Sequence, residues 1–224
     1  MRTAFHHQLD ALRRSIADMC DLTGTAMAQA TEALLGADIV LAEGVISAHP
    51  DVIVRATDIE NDAYTLLLLQ APVAGDLRAI LASLQNVADV YRMAALALHV
   101  ADTVRLRHPC TAIPDDIKPY FAEMGRIAVD LSRNARRVVL SGNAEQAAEL
   151  AHDDDAMNEL HRLVFTILMD RKWSHSVPAA VDSTLLSRYY ERFADHAVKV
   201  GQRIIFQATG SHGGQPQLER HHTA

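Results

Sequence analysis

The apolar residues between Leu185 and Ile204 recur at steps of three and four, and this spacing strongly constrains how the chain can fold. An α-helix has 3.6 residues per turn, so residues at these steps form one stripe, and the stripe predicts a core face. At about 100° per residue, Glu191 and Asp195 fall on the opposite side of that helix, one turn apart. We therefore expect an outward face on which two carboxylates can share one external ligand.

Spacing alone leaves two interpretations of Glu191 and Asp195 open. Arg188 precedes Glu191 by three residues and Lys199 follows Asp195 by four, which is typical of a solvated helix face laced with ion pairs. Alternatively, oxygen ligands at positions i and i+4 converge on a hard cation, and a neighbouring helix completes its coordination shell.

Helical spacing continues along the chain and predicts six long helices. Their expected extents are 3–35, 38–69, from Pro72 to just before His108, 115–140, 143–171 and 177–209. Hydrophobic residues make up 49% of the sequence and aromatic residues only 5%, which favours Ala-, Leu- and Val-rich helices over many short strands. We expect an all-α fold, with a break or kink at Pro50 because proline removes a helical hydrogen bond.

The three helices of the first half and the three of the second follow one plan. Superposing Arg92 on Arg192 aligns the two third helices without a gap, and a proline-rich segment at 107–119 separates the halves. The predicted organisation is a first three-helix bundle over 1–107 and a second over 114–210. The segment 211–224 is polar and without period, so it is predicted to be a disordered tail.

Charge and composition exclude several classes of protein. A formal net charge of -7 disfavours nucleic-acid binding, which usually needs a basic face. No secretory signal or bilayer-length apolar run is found, so we expect a cytoplasmic protein that reaches the membrane only through partners. The nucleophile-elbow, P-loop and zinc-ligand patterns are also absent, so we do not expect an enzyme.

Two segments resemble landmarks of the PhoU family of phosphate-signalling regulators. In RYYERFADHA, the residues Arg188, Glu191, Arg192 and Asp195 match a metal-binding pattern of the form R-x-x-E-R-x-x-D. The segment QAPVAGDLR resembles the turn that opens the family's third helix. There we expect Asp76 and Arg78 to be structural, with Asp76 accepting backbone N–H groups at the helix start.

This resemblance implies two tandem three-helix bundles and a non-enzymatic adaptor. By resemblance, the protein links a phosphate ABC transporter, through its ATPase subunit, to a membrane sensor histidine kinase. It would thereby negatively regulate phosphate uptake and, through two-component signalling, transcription in the phosphate-starvation response. The chain is also a candidate for homodimer formation.

The resemblance further implies a metal site in the second bundle. The family places a D-x-x-x-D pair on the middle helix, facing the acidic pair of the third helix. The implied ligands for iron, zinc or another divalent metal are Asp154, Asn158, Glu191 and Asp195. Asn158 keeps a carbonyl oxygen but removes one negative charge, which weakens the site.

The first bundle lacks this ligand set, and the second has a competing explanation without metal. The aligned positions in the first bundle are His49, Ile53, Tyr91 and Ala95. Because isoleucine and alanine cannot ligate a metal, a site of this kind is confined to the second bundle. There, Arg188 and Arg192 can instead neutralise the carboxylates as ion pairs.

Two other functions stay open. A carboxylate-bridged di-iron oxidase or storage bundle needs a Glu-x-x-His motif on each of two helices, and the sequence offers only Glu149 to His152. A structural helical module without metal is the other alternative.

Overall fold

The computed structural model describes residues 2–210 and consists of six α-helices, with no strand in that range. The helices are α1 (Arg2–Gly36), α2 (Ile39–Gln70), α3 (Ala74–Arg107), α4 (Lys118–Ser141), α5 (Ala144–Met169) and α6 (Val177–Thr209). The predicted all-α architecture of two tandem three-helix bundles is confirmed. The tail predicted at 211–224 lies outside the described residues.

The two bundles pack side by side and share one hydrophobic core. Helices α1 to α3 form the first bundle and α4 to α6 the second, while α1 packs against α4 and α3 against α6. Helices α3 and α6 run antiparallel, as the ion pair between Arg107 at the end of α3 and Asp182 at the start of α6 shows. At their other ends, Arg78 lies against Gly210. Its guanidinium thereby faces the negative end of the α6 dipole.

Helices α1 and α4 approach closely at two glycines. A Cβ on Gly24 would lie 3.1 Å from the Cβ of Ser132, and a Cβ on Gly125 would lie 2.4 Å from the Cγ2 of Thr31. Gly125 follows Gly24, and Ser132 follows Thr31, by the same 101 residues. Each bundle therefore offers a glycine to a hydroxyl side chain of the other, and the two contacts are related by an approximate two-fold axis.

Of the break or kink expected at Pro50, the break does not occur. Helix α2 continues from Ile39 to Gln70 with Pro50 inside it. Pro50 is exposed, whereas Val45 and Val52 on either side are buried in the core. Packing of the flanking turns therefore outweighs the lost hydrogen bond.

The starts of α2 and α3 differ in how they are capped. Asp38 caps α2, since its Oδ1 accepts hydrogen bonds from the backbone N–H groups of Val40 and Leu41 at 2.9 and 3.1 Å. Helix α3 begins after Val73, which makes no side-chain capping bond. Asp76 lies in the first turn of α3, where its charge suits the helix dipole. Within residues 2–210, its carboxylate makes no hydrogen bond to the backbone.

Candidate functional site

The seam between α5 and α6 carries a stripe of polar side chains on both helices. Helix α5 contributes Asp154, Asn158 and His161, and α6 contributes Ser187, Glu191 and Asp195. Within each helix these residues recur at three- and four-residue steps, so they share one face. The Nδ1 of His161 lies 3.1 Å from the Oγ of Ser187, which fixes how the two helices are aligned.

Glu191 does not lie on an outward face, so this part of the prediction is wrong. The residue is only 9% exposed, whereas Leu185, which was assigned to the core stripe, is 48% exposed. The reason is that α6 packs against α3, α4 and α5, so its buried sector is much wider than one stripe. Glu191 faces the α5 side of that sector, and Asp195, one turn on, is half-buried.

One oxygen of Glu191 is paired and the other is not. Arg188 donates to Oε1, and this ion pair is the arrangement expected without metal. Oε2 is buried and has no hydrogen-bond partner. Burial raises the pKa of Glu191 above its usual range and the charge of Asp195 adds to this, while Arg188 and Arg192 oppose the shift.

Asp154 shows the same division between its two oxygens. Its Oδ2 accepts a 2.7 Å hydrogen bond from the amide of Asn158, and its Oδ1 is buried without a partner. Burial raises the pKa of Asp154, the hydrogen bond from Asn158 opposes this, and Asp195 and Glu191 raise it further. The carboxylates of α5 and α6 are thus close enough to repel one another.

The donor set suits a hard cation, although its members are not gathered around one point. Two buried carboxylate oxygens without hydrogen bonds, on adjacent helices, are the groups that a divalent cation would satisfy. Among the side chains that the structure describes, however, no three or more His, Cys, Asp or Glu residues converge as a metal site. Arg188 holds Glu191 and Asn158 holds Asp154, so metal binding would require these side chains to turn. The four-ligand set therefore stays a prediction.

The equivalent seam in the first bundle is aromatic and imidazole-rich. Across this seam the rings of His49 on α2 and Tyr91 on α3 lie 6.1 Å apart. His99 of α3 instead contacts the second bundle, where its ring lies 5.2 Å from that of Tyr189 on α6. Burial lowers the pKa of His49 and the charge of His99 adds to this effect, while Asp102 opposes it.

The sequence did not reveal a second polar cluster between α3 and α6. The Nδ1 of His196 lies 2.7 Å from the Oδ1 of buried Asp89, and Arg203 donates to Asp89 and, at 3.0 Å, to Gln85. His196 follows Asp195 directly in the sequence, but its side chain is buried against α3. One sequence signal for this cluster was available. Asp89 lies between Val87 and Val90 at a buried position of the helix, and a buried charge needs a partner.

The motif proposed for a di-iron centre lies on the surface. Glu149 and His152 are both exposed on α5. None of the six helices, over the described range, combines the length and apolar character that crossing a bilayer requires.

Comparison with known proteins shows close relatives over nearly the whole chain. The family profile described as PhoU domain matches residues 16–104 and 121–204, one match in each bundle. Phosphate-specific transport system accessory protein PhoU homolog 2 of Mycobacterium tuberculosis is 59% identical over 94% of this chain and 99% of its own length. PhoU homolog 1 of Mycobacterium leprae is 57% identical over 94% of this chain and 95% of its own.

A solved structure shares the fold. The phosphate transport system regulatory protein PhoU from Streptococcus pneumoniae superposes with a TM-score of 0.83 at 21% identity, covering 93% of this chain and 98% of that one. Because the family profile matches most of both bundles and full-length relatives are well over half identical, the chain belongs to the PhoU family.

Proposed function

We propose that this protein is an accessory regulator of phosphate transport. The observation that carries the proposal is the match of both bundles to full-length relatives that are named as phosphate-specific transport system accessory proteins. The finer role we propose is a non-enzymatic, cytoplasmic adaptor that links the ATPase subunit of a phosphate ABC transporter to a sensor histidine kinase. It keeps the phosphate-starvation response off while phosphate is plentiful.

The shape of the molecule suits this role. The six helices contain 24 to 35 residues and are therefore roughly 36 to 53 Å long. Their exposed sides offer extended surfaces for two partners, and the chain associates with the membrane through those partners. A dimer of two such chains would enlarge these surfaces further.

Deletion of the gene tests the regulatory role. A starvation-responsive reporter should be derepressed in phosphate-replete medium when this protein is absent. Because the relatives are numbered homolog 1 and homolog 2, the strain should also lack any second copy. Unchanged reporter output in the double deletion would contradict the proposal. Capture of partners from phosphate-replete cells should recover the transporter ATPase and the kinase.

We also propose that a metal binds the α5–α6 seam. The support is the pair of buried carboxylate oxygens without hydrogen-bond partners, on Asp154 and Glu191, with Asp195 beside them. These three residues and the weaker ligand Asn158 would hold iron, zinc or another divalent ion. A bound cation would neutralise their mutual repulsion and cross-link the two helices.

Metal content distinguishes this site from a salt-bridged seam. Elemental analysis and calorimetric titration would compare the wild type with the double variant Glu191→Ala and Asp195→Ala. The matched control is Asp58→Ala with Asp62→Ala, a pair of exposed acids one turn apart in the first bundle. The seam variant should lose binding and the control should keep it. Loss in the control alone would contradict the assignment, and no binding in any protein would leave the Arg188 ion pair as the function of Glu191.

A further inference from the structure

The outer face of the second bundle carries apolar side chains that the core does not use. They are Phe165 and Met169 on α5 and Val177, Val181 and Leu185 on α6, and all five are exposed to solvent. Met169 is 71% exposed and Val177 is 76% exposed. Clusters of exposed apolar side chains on a soluble domain usually mark a contact surface. We call these five residues the α5–α6 apolar patch.

Helical spacing places Phe165 with Met169 on one face of α5, and Val177, Val181 and Leu185 on one face of α6, near the turn that joins the two helices. The contact between His161 and Ser187 fixes the alignment of α5 and α6. Phe165 and Met169 follow His161 at four-residue steps towards the turn. Val181 and Val177 extend in the same direction from Ser187, because the helices are antiparallel. The patch therefore extends along the solvent-exposed side of the α5–α6 seam towards the turn.

Cationic side chains surround the patch. Arg162, Arg171, Lys172 and Arg188 are all exposed around it. Across residues 2–210, the first three form no salt bridge with a side chain. The acid within the turn, Asp170, uses a carboxylate oxygen to accept the backbone N–H of Lys172 at 2.8 Å. In a chain with a formal net charge of -7, this rim is a local concentration of positive charge.

The equivalent face of the first bundle is apolar but lacks the cations. With Arg92 superposed on Arg192, and α2 aligned on α5, the equivalents of Met169, Val177 and Val181 are Tyr64, Leu77 and Leu81. Thr57 and Ala88 stand where Arg162 and Arg188 stand in the second bundle, and Glu60 replaces Phe165. The cationic rim is therefore specific to the second bundle.

We propose that the α5–α6 apolar patch and its cationic rim bind the surface of an anionic lipid bilayer directly. Exposed apolar side chains enter the boundary between headgroups and acyl chains, while arginine and lysine attract the lipid phosphates. The patch lies near the turn between α5 and α6, and none of its five side chains lines the cavities that α1 forms with its neighbouring helices. A membrane surface can take up exposed apolar side chains without a groove, whereas a partner helix usually packs into one. This contact goes beyond the proposed adaptor role, in which partners bring the protein to the membrane.

Vesicle sedimentation with the full chain tests the proposal. Vesicles of phosphatidylcholine alone are compared with vesicles of equal parts phosphatidylcholine and phosphatidylglycerol, at low and high salt. The wild type should bind the anionic vesicles at low salt and neither kind at high salt. Arg171→Glu combined with Lys172→Glu should weaken binding by at least about 30-fold. Phe165→Ser combined with Met169→Ser should abolish it.

The first bundle supplies the matched control, Tyr64→Ser with Leu77→Ser, which should bind like the wild type. Circular dichroism of every variant checks folding, and the charge variant alters only exposed side chains. Failure of the wild type to bind anionic vesicles would overturn the proposal, as would equal loss in the control. If vesicles are not bound and the Phe165 and Met169 variant changes the molecular mass in light scattering, the patch is an interface between copies and the lipid assignment is wrong.

Discussion

Asp89 of the first bundle and His196 of the second are joined by a 2.7 Å hydrogen bond that crosses between α3 and α6. Arg203 donates a hydrogen bond to the other oxygen of the Asp89 carboxylate, and its guanidinium also donates to Gln85. Both oxygens of a buried acid are thereby satisfied from the neighbouring bundle. The two halves are held in register by a charged contact as well as by apolar packing.

Replacing Asp89 by alanine should lower the free energy of unfolding by about 3 kcal/mol, because buried His196 and half-buried Arg203 would both lose the carboxylate that they contact. Urea denaturation followed by circular dichroism measures this. Asp10→Ala removes an exposed ion pair with Arg13 and should cost less than about 1 kcal/mol. Equal losses in the two variants would contradict a central role for Asp89.

Gly125→Ala should destabilise the protein by about 2 kcal/mol, since the new Cβ would lie 2.4 Å from Thr31 Cγ2. Thr31 cannot turn away freely, because its hydroxyl bonds the Met27 carbonyl at 2.7 Å and the Tyr190 hydroxyl at 2.9 Å. The control is Gly44→Ala inside α2, where nothing lies within 4 Å. That variant should be stabilised by about 0.5–1 kcal/mol. Thermal melts that shift in the same direction for both would refute the close-contact argument.

Asp38→Ala should cost about 1 kcal/mol, because the carboxylate accepts two backbone N–H groups at the start of α2. Asp76→Ala should cost about 0.5 kcal/mol, because only its charge near the α3 dipole is lost. High salt should reduce the effect of the Asp76 change more than that of Asp38. A larger loss for Asp76 in urea melts would show that it caps α3 in solution.

His49 should make stability fall as the pH is lowered. Burial holds its pKa below the usual value of 6.5, so the unfolded chain binds the proton more readily than the folded one. The stability that neutral His49 provides is fully present above its unfolded-state pKa, and it is lost as the pH falls through the folded-state pKa. His49→Phe keeps a ring beside Tyr91 without titrating. Urea midpoints measured from pH 7.5 to 5 should decline more steeply for the wild type, and parallel curves would contradict the prediction.

The internal repeat can be predicted from the sequence because the third helix of each bundle buries the same positions. Residues 81–88 and 181–188 follow the same order of buried and exposed side chains, as the alignment of Arg92 with Arg192 requires. This periodicity depends only on helix geometry and on which residues are buried, and both are reflected in the spacing of apolar residues along the sequence. The helix boundaries were accordingly close to those observed, apart from α4, which begins at Lys118 instead of near Asp115.

Contacts between helices cannot be predicted from the sequence in the same way. A single stripe predicted an exposed Glu191, but α6 is contacted from three sides, and the number of neighbours is a property of the whole fold. The partnership of Asp89 with His196 joins residues more than a hundred positions apart, so no local pattern announces it. Asp154 lies on α5 and Glu191 on the adjacent α6, but their pairing with Asn158 and Arg188 depends on side-chain packing that local sequence does not specify.

The reciprocal contacts of Gly24 with Ser132 and of Gly125 with Thr31 are those that two identical three-helix chains would make as a symmetric pair. In such a pair, any substitution at one seam would appear at the other as well. A peptide linkage between the halves removes that constraint, so one seam can hold carboxylates while its twin holds imidazole and phenol rings. Joining the two halves in one chain thus allows the same three-helix plan to carry two chemically different seams.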